Sequence, residues 1–479
     1  MKRILTICLV FTMVLAMVAC GAPAATGDPA QTTVPVTTQS AAVFKAGFGY
    51  TNITPKKDGL PLAGHSDGRL SEGFTTYLEA RAVAVQDEQG EILLFVSADL
   101  SFIRPKFGKQ VMDKMTKELG IPEDHIVLSG THTHGSIETE SASKPGVHEF
   151  NEMASDGMVE AARLAIEDLK PSEIFVGTAV TENMNFVRRY FMDDGSLTAD
   201  NTAGTGTKII SHETEADPDL VMMKFVREGG KDILISNFQA HPHMEGKTPG
   251  VSAETVGAMR DAFEEGLGVH SLHWQGAAGN LNSRSRIDGE TRTTDRKEYA
   301  QIMLGYAKEV YDKMTPVESG LIQVVSYDYE AIIDHSREHL LDAARQVTDY
   351  FKAGNNAEAC KPLAQSLGLE GYHQAMRIVW NAENGYSFDA KLVAWSFGDV
   401  SGIVTEYELF DTAGMFIKNN SPFKQTFIVG YSYPGTGSYI PTAEAFANGG
   451  YERDSCRYIS GTSEEMCDIY VDLLNQMYK

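Results

Sequence analysis

The chain has 479 residues, with 41 Lys and Arg against 65 Asp and Glu and a formal net charge of −24. That balance argues against nucleic acid as a partner and against charge-driven docking on anionic headgroups, since both need a basic surface. Of the five cysteines, Cys8 and Cys20 lie at the start, leaving Cys360, Cys456 and Cys467. These make no disulfide framework and have no zinc-finger spacing, although a Cys456–Cys467 bridge stays open.

In chain order, Lys2 and Arg3 precede an apolar run that ends in "AMVAC". Its length and flanks fit a cleaved export signal over 1–19 rather than a membrane span. Cysteine directly after the cleavage point resembles the bacterial lipobox and implies lipidation of Cys20. Residues 20–42, rich in Ala, Thr and Pro, form a flexible tether. Losing Lys2 and Arg3 takes the charge from −24 to −26. The expected product is exported and lipid-anchored to the cell membrane, facing outside the cytoplasm.

From Val43 onward, "ARAVAVQD" and "EILLFVSAD" predict a hairpin around Gly90, and "PKFGKQVMDKMTKELG" predicts a helix stopped by Gly120. "HIVLSG" reads as a strand, 151–169 as an amphipathic helix and "EIFVGTAV" as a strand. A long Gly/Asp/Thr-rich loop follows, then a second hairpin in "DLVMMKFVREGGKDILISNFQAHPH". Helix, strand and helix continue to about residue 314, a strand to 333, a mainly helical segment over 334–382, and late strands after it. Hairpins alternating with single helices predict one large α/β sandwich, a two-sheet core flanked by helices, rather than a wound parallel sheet.

Two His-x-His pairs, His132/His134 and His241/His243, each follow an apolar strand. Residues two apart on an extended segment project to one face, so each pair can point into one cavity. Neutral imidazole is a good zinc ligand, and a catalytic site needs three or four donors from separate elements. A polar strand end remains the plain alternative. Near the C-terminus, "VTEYELFDTAGMFIKNNSPF" places Glu406 and Glu408 after a strand, and Tyr431, Tyr433, Tyr439 and Tyr451 lie in Gly-rich text.

The blocks "AGFGYTNITP", "PLAGHSDGR", "FVSADL", "LSGTHTHGS", "NFQAHPH", "WQGAAGN", "EYELFDTAGMFIK" and "SYIPTAEAFANGGYE" together resemble the catalytic N-terminal domain of the neutral/alkaline non-lysosomal ceramidases. The resemblance implies one Zn2+ per chain held by His132, His241, Glu408 and Tyr439. Counting back from Ile417-Lys418 and Ser421-Pro422 selects Glu408 over Glu406. It implies His134 and Tyr451 as catalytic neighbours that handle charge and protons, and Arg188, with Arg189 as the other register, as a holder of a polar substrate group. A second, structural Ca2+ or Mg2+ stays open. The implied reaction is hydrolysis of an amide, with an N-acyl, ceramide-like lipid as the partner and no nucleic acid. The alternatives are a zinc hydrolase of another amide or an ester (an acylated sugar, a peptide-like bond) and a non-catalytic solute-binding lipoprotein.

Departures from the family pattern are specific. Gly279 stands where ceramidases carry a serine in the turn near the metal, so Gly279 and Asn280 are the substrate-binding candidates there. The text of 136–150 and 190–210 differs from the expected ceramidase loops. The chain ends at Lys479, so no C-terminal immunoglobulin-like domain is expected.

Overall fold

Strand β2 (Glu79–Gln86) shows how the sequence builds the core. In "EARAVAVQ", Ala80, Ala82 and Ala84 face one way and Val83 and Val85 the other, and all are fully buried. Strict alternation of small and branched apolar residues makes a strand covered on both faces, with helices against the alanine side.

In the computed structural model the residues described are 44–65, 68–139, 144–199, 206–435 and 437–478. The export signal, Cys20 and the tether lie outside them. The main sheet has β1 (Phe44–Asn52), β2, β3 (Ile92–Ala98), β4 (Ile126–Gly130), β5 (Lys170–Val180), β6 (Asp219–Arg227), β7 (Ile233–Phe238) and β8 (His270–Gln275). Their order is β8-β7-β6-β5-β1-β2-β3-β4, with a short strand at Thr315–Pro316 also paired to β5. The centre is antiparallel, and the outer pairs β3–β4 and β7–β8 are parallel. A second sheet, β9 (Gln323–Ile332), β10 (Ser387–Phe397), β11 (Val400–Val404) and β12 (Gln425–Val429), runs in chain order.

The two sheets pack face to face. Phe95, Phe225 and Trp274 of the first meet Trp395, Phe397 and Phe427 of the second in one buried cluster. Helices α1 (Pro105–Leu119) and α2 (Val147–Glu167) cover one half of the main sheet's other face. Helices α3 (Glu254–Leu267) and α4 (Arg296–Tyr311) cover the rest. On the far side, α8 (Asp411–Asn420) and α9 (Thr462–Met477) cover the second sheet. Helix α2 sits so close to β1 that a Cβ on Gly47 would lie 2.8 Å from the Leu169 nitrogen, which is why "KAGFGYT" carries glycines on that face.

The result is a four-layer α/β/β/α sandwich, and the contacts of residues 41–479 cluster as one compact unit. The 334–382 segment forms α5 (Leu341–Lys352), α6 (Ala357–Ser366) and α7 (Tyr372–Glu383), with its own small core around Val347, Cys360 and Ile378. The long loop after β5 contains short strands, among them Arg189–Met192. Cys456 and Cys467 are buried free thiols, so the bridge left open by the sequence is not formed. Among the described residues no helix is long and apolar enough to cross a membrane.

Candidate metal centre

His132 and His134 converge, but not by strand alternation. Strand β4 ends at Gly130, and His132 takes a left-handed backbone (φ 63°) that a non-glycine residue adopts only when its surroundings enforce it. The enforcing contacts are short. The Thr131 and His132 amides donate to the Ala98 and Leu100 carbonyls at 2.9 and 3.0 Å. Tyr431, also left-handed (φ 55°), stacks on the His132 ring at 3.9 Å between centroids. The extended-segment reading of the pair is therefore corrected: a tight turn brings the two Nε2 atoms to 3.4 Å.

His241 comes from the loop after β7, and its Nε2 lies 3.0 Å from that of His132. His132 Nδ1 is 2.9 Å from the Ser101 carbonyl and His241 Nδ1 2.7 Å from the Ala278 carbonyl. A carbonyl can only accept, so both Nδ1 atoms carry the proton and both Nε2 atoms present bare lone pairs to each other. Burial holds His132 down at about 3 and lowers His134 and His241 as well, so the rings are neutral near pH 7. His132, His134 and His241 have candidate ligand atoms within 4.8 Å of one another.

Glu408 completes the electron-rich cluster. Its Oε2 lies 3.3 Å from His241 Nε2 and 3.6 Å from His132 Nε2, is buried, and has no hydrogen-bond partner. Burial pushes its carboxyl up to about 8. Tyr439 pairs with Glu408 across a short parallel bridge, and their side chains hydrogen-bond. Two facing imidazole lone pairs, a carboxyl oxygen without a hydrogen-bond partner and a phenol are a donor set that fits a borderline cation such as zinc. Glu406 is directed toward Tyr407 and Arg457 instead, and burial raises it to about 8.

Around this group, Arg188 donates from Nη2 to the Tyr439 oxygen at 3.1 Å and to the Gly279 carbonyl at 3.0 Å. Its Nε donates to Glu452 at 2.9 Å. Arg189 is turned away, to Glu213, Glu452 and the Ala445 carbonyl. Arg188 is thus the register that reaches the site. Tyr451 stands 5.5 Å from the Tyr439 ring, and His134, Arg188, Tyr439 and Tyr451 together line a cleft of about 990 Å³.

Gly279 and Asn280 lie behind the centre rather than on that cleft. A Cβ on Gly279 would sit 2.9 Å from the Glu408 carbonyl carbon, and the Gly279 amide donates to the Leu409 carbonyl at 2.9 Å. Asn280 exchanges hydrogen bonds with Asp411, side chain to side chain at 2.6 Å and from the Asp411 amide at 3.0 Å. Both positions brace the strand that carries Glu408.

Sequence reasoning named Tyr431 without giving it a role and did not find Glu452 or Glu254. Glu254 Oε2 accepts from the His134 amide at 2.9 Å and the Thr133 hydroxyl at 3.2 Å, and burial raises its carboxyl to about 8. No motif marks these three, because each acts through a fold contact distant in sequence.

The sandwich thus carries at its strand ends a buried group of three histidines that could hold a metal ion, with a carboxylate beside it. The sequence model for the neutral/alkaline non-lysosomal ceramidase N-terminal domain matches residues 44–281, and this part of the chain belongs to that family. It is 26% identical over 159 residues to a neutral ceramidase of Drosophila pseudoobscura pseudoobscura, 31% of this chain and 23% of that protein. To a neutral ceramidase of Drosophila melanogaster it is 32% identical over 98 residues, 20% of this chain and 14% of that one. The aligned segments thus span less than a quarter of those relatives. The fold matches the crystal structure of neutral ceramidase from Pseudomonas aeruginosa with a TM-score of 0.68 at 19% identity, over 90% of this chain and 74% of that one. A ceramidase complexed with C2 matches with a TM-score of 0.66 at 18% identity, covering 90% and 75%.

Proposed function

We propose that this protein is a zinc-dependent amidohydrolase that cleaves an N-acyl amide, with ceramide-like N-acyl lipids as the leading substrate class. The observation that carries the reading is the 3.0 Å approach of the His132 and His241 Nε2 atoms, both unprotonated, beside the orphaned Oε2 of Glu408. His132, His241, Glu408 and Tyr439 would hold the ion. When bound, zinc supplies a Lewis acid that polarises an amide carbonyl and lowers the pKa of a water to about 7.

The chain's own residues do the rest. Burial pushes the Tyr439 phenol well above its ordinary range, and Arg188, locked by Glu452, keeps a positive charge against its oxygen that offsets part of that shift. His134 presents a neutral ring to the cleft, able to donate a hydrogen bond to the oxygen that gains charge or to pass a proton to the departing amine. Tyr451, on the same wall, offers a second hydroxyl for that oxygen. The Nδ1–H bonds to Ser101 and Ala278 fix ring orientation, the usual outer support of ligand histidines. The lipid anchor at Cys20 and placement outside the cytoplasm belong to the same proposal and suit a membrane-borne substrate.

The test is turnover of fluorescent ceramide and of short N-acyl amines by zinc-loaded protein. Release of fatty acid from either supports the reading, with ceramide cleavage fixing the lipid class. Zinc-loaded protein that cleaves esters but no amide would replace it with an esterase reading.

A further inference from the structure

The cleft above the centre has a mixed lining, in which Leu197, Ala199, Ala357 and Tyr372 give apolar patches that can take part of an acyl chain. Lys247, Arg284, Arg286 and Lys361 also line the cleft, with His65 and His243 near the floor. The carboxylates Glu358, Glu370 and Asp454 belong to the helical side, and Asp454 is already tied to Arg337 and Gln374. In a chain of net charge −24 this local excess of cations is not a general property of the surface.

The cations lead to a side pocket of about 330 Å³, which shares His243, Arg284 and Arg286 with the cleft. Its other described walls are Asn282, Ser283, Ser285, Thr291 and Thr294, and no carboxylate lines it among the described residues. The loop that forms it is fixed. Ser285 donates to Glu290 at 2.6 Å, the Arg286 amide to the Tyr190 hydroxyl at 3.0 Å, and Thr293 to Glu298 at 2.6 Å. Asp288, the acid nearest to Arg284 in sequence, does not line the pocket, and Glu290 is turned to His212 at 2.8 Å. Against this built wall, the half-buried Arg284 makes no hydrogen bond or ion pair among the described residues, and the Ser283 and Thr294 hydroxyls make none either. A half-buried guanidinium without a counter-charge, beside unengaged hydroxyls, is the donor set of an oxyanion site, since its planar fork matches phosphate, sulfate or carboxylate.

We infer that the side pocket around Arg284 binds an anionic group of the substrate, so that the amide cleaved at the metal centre belongs to a molecule whose far end carries a phosphate, sulfonate or carboxylate. This deepens the proposed amidohydrolase reading and rests on it. Within the proposed N-acyl lipid class, the preferred member is then one whose amine half carries an anionic group, which neutral ceramide lacks.

The test compares zinc-loaded wild type and Arg284→Met on matched pairs, an N-acyl ethanolamine against its O-phosphate and an N-acyl amine against the corresponding N-acyl taurine. Wild type should favour the anionic members in kcat/KM. Arg284→Met should lower that preference by about 10- to 100-fold, chiefly through KM, as expected for one charge-assisted contact. Equal losses on both members of a pair, or no wild-type preference, would overturn the inference. Calorimetric titration with phosphoethanolamine and with inorganic phosphate gives a readout independent of turnover. Phosphoethanolamine binding that Arg284→Met abolishes supports the subsite even where no tested amide is cleaved, in which case the amidohydrolase reading fails separately. Binding of inorganic phosphate at Arg284 without any effect on substrate preference would make the pocket a site for free anions and overturn the substrate assignment.

Discussion

Arg188 and Tyr439 are joined by a 3.1 Å hydrogen bond from guanidinium to phenol, and Glu452 holds the other edge of that guanidinium at 2.9 Å. Glu452 is fully buried and also grips Arg189 at 2.8 Å, so one carboxylate sets two arginines. Truncating Arg188 therefore does two things: it removes the cation beside Tyr439 and strips a buried carboxylate of one partner. Arg188→Met should destabilise the fold by about 3 kcal/mol or more, and the double variant with Glu452→Gln should recover part of that loss. Denaturant unfolding of the four-member cycle reads the coupling. Simple additivity would show that the pair is not a unit.

Gly279 offers a second test, because it occupies the position where the family pattern has a serine. With a Cβ 2.9 Å from the Glu408 carbonyl carbon, Gly279→Ser cannot be accommodated without moving the Glu408 backbone. Overpacking of this kind costs about 1–3 kcal/mol. Gly279→Ser should lower both the melting temperature and the zinc affinity. A serine variant with unchanged stability and raised amidase activity would mean that the turn is looser than the structure shows.

Glu254 supports the His134 peptide and should make stability pH-dependent. Burial raises its carboxyl from the ordinary 4.5 to about 8, so the folded state holds its proton more tightly than the unfolded chain. The contribution is fully present below about 4.5 and is lost as pH rises through about 8. Glu254→Gln should flatten the fall in melting temperature between acidic and alkaline pH. Glu254→Ala should instead cost about 1–3 kcal/mol at every pH, because the buried His134 amide loses its acceptor. Thermal unfolding across pH, compared among the three proteins, checks both signs.

The core was legible from sequence because its alternation is strict. Ala80, Ala82 and Ala84 against Val83 and Val85 announce a strand buried on both faces, and the hairpin around Gly90 follows. The site was legible only where a dense motif carries it. "THTH" and "AHPH" mark histidines, but alternation misstated how they converge, since His132 turns through a left-handed backbone held by Leu100 and Tyr431. Glu408 meets Tyr439 through a two-residue parallel bridge, too short to leave any periodic trace. Tyr431, Glu254 and Glu452 act across more than a hundred residues or from within core text, where nothing local separates them from packing. Helix α9, which covers the second sheet, was likewise not anticipated.

His132 and His134 should separate by experiment. The Nδ1 proton of His132 goes to a backbone carbonyl, whereas His134 Nδ1 faces His65 Nε2 at 3.5 Å on the cleft side. His134→Ala should keep zinc and slow turnover by about 100-fold or more, the range of a lost acid–base group. Equal zinc loss in His132→Ala and His134→Ala would make His134 a ligand and leave its catalytic role to Tyr451.

The central claim is that His132, His241, Glu408 and Tyr439 form a zinc site, and zinc content measured on purified protein tests it most directly. The account predicts close to one equivalent in wild type and its loss in His241→Ala, with the fold retained. Less than about half an equivalent in wild type, under conditions that saturate ordinary structural and catalytic sites, or full zinc retention in His241→Ala, would contradict it.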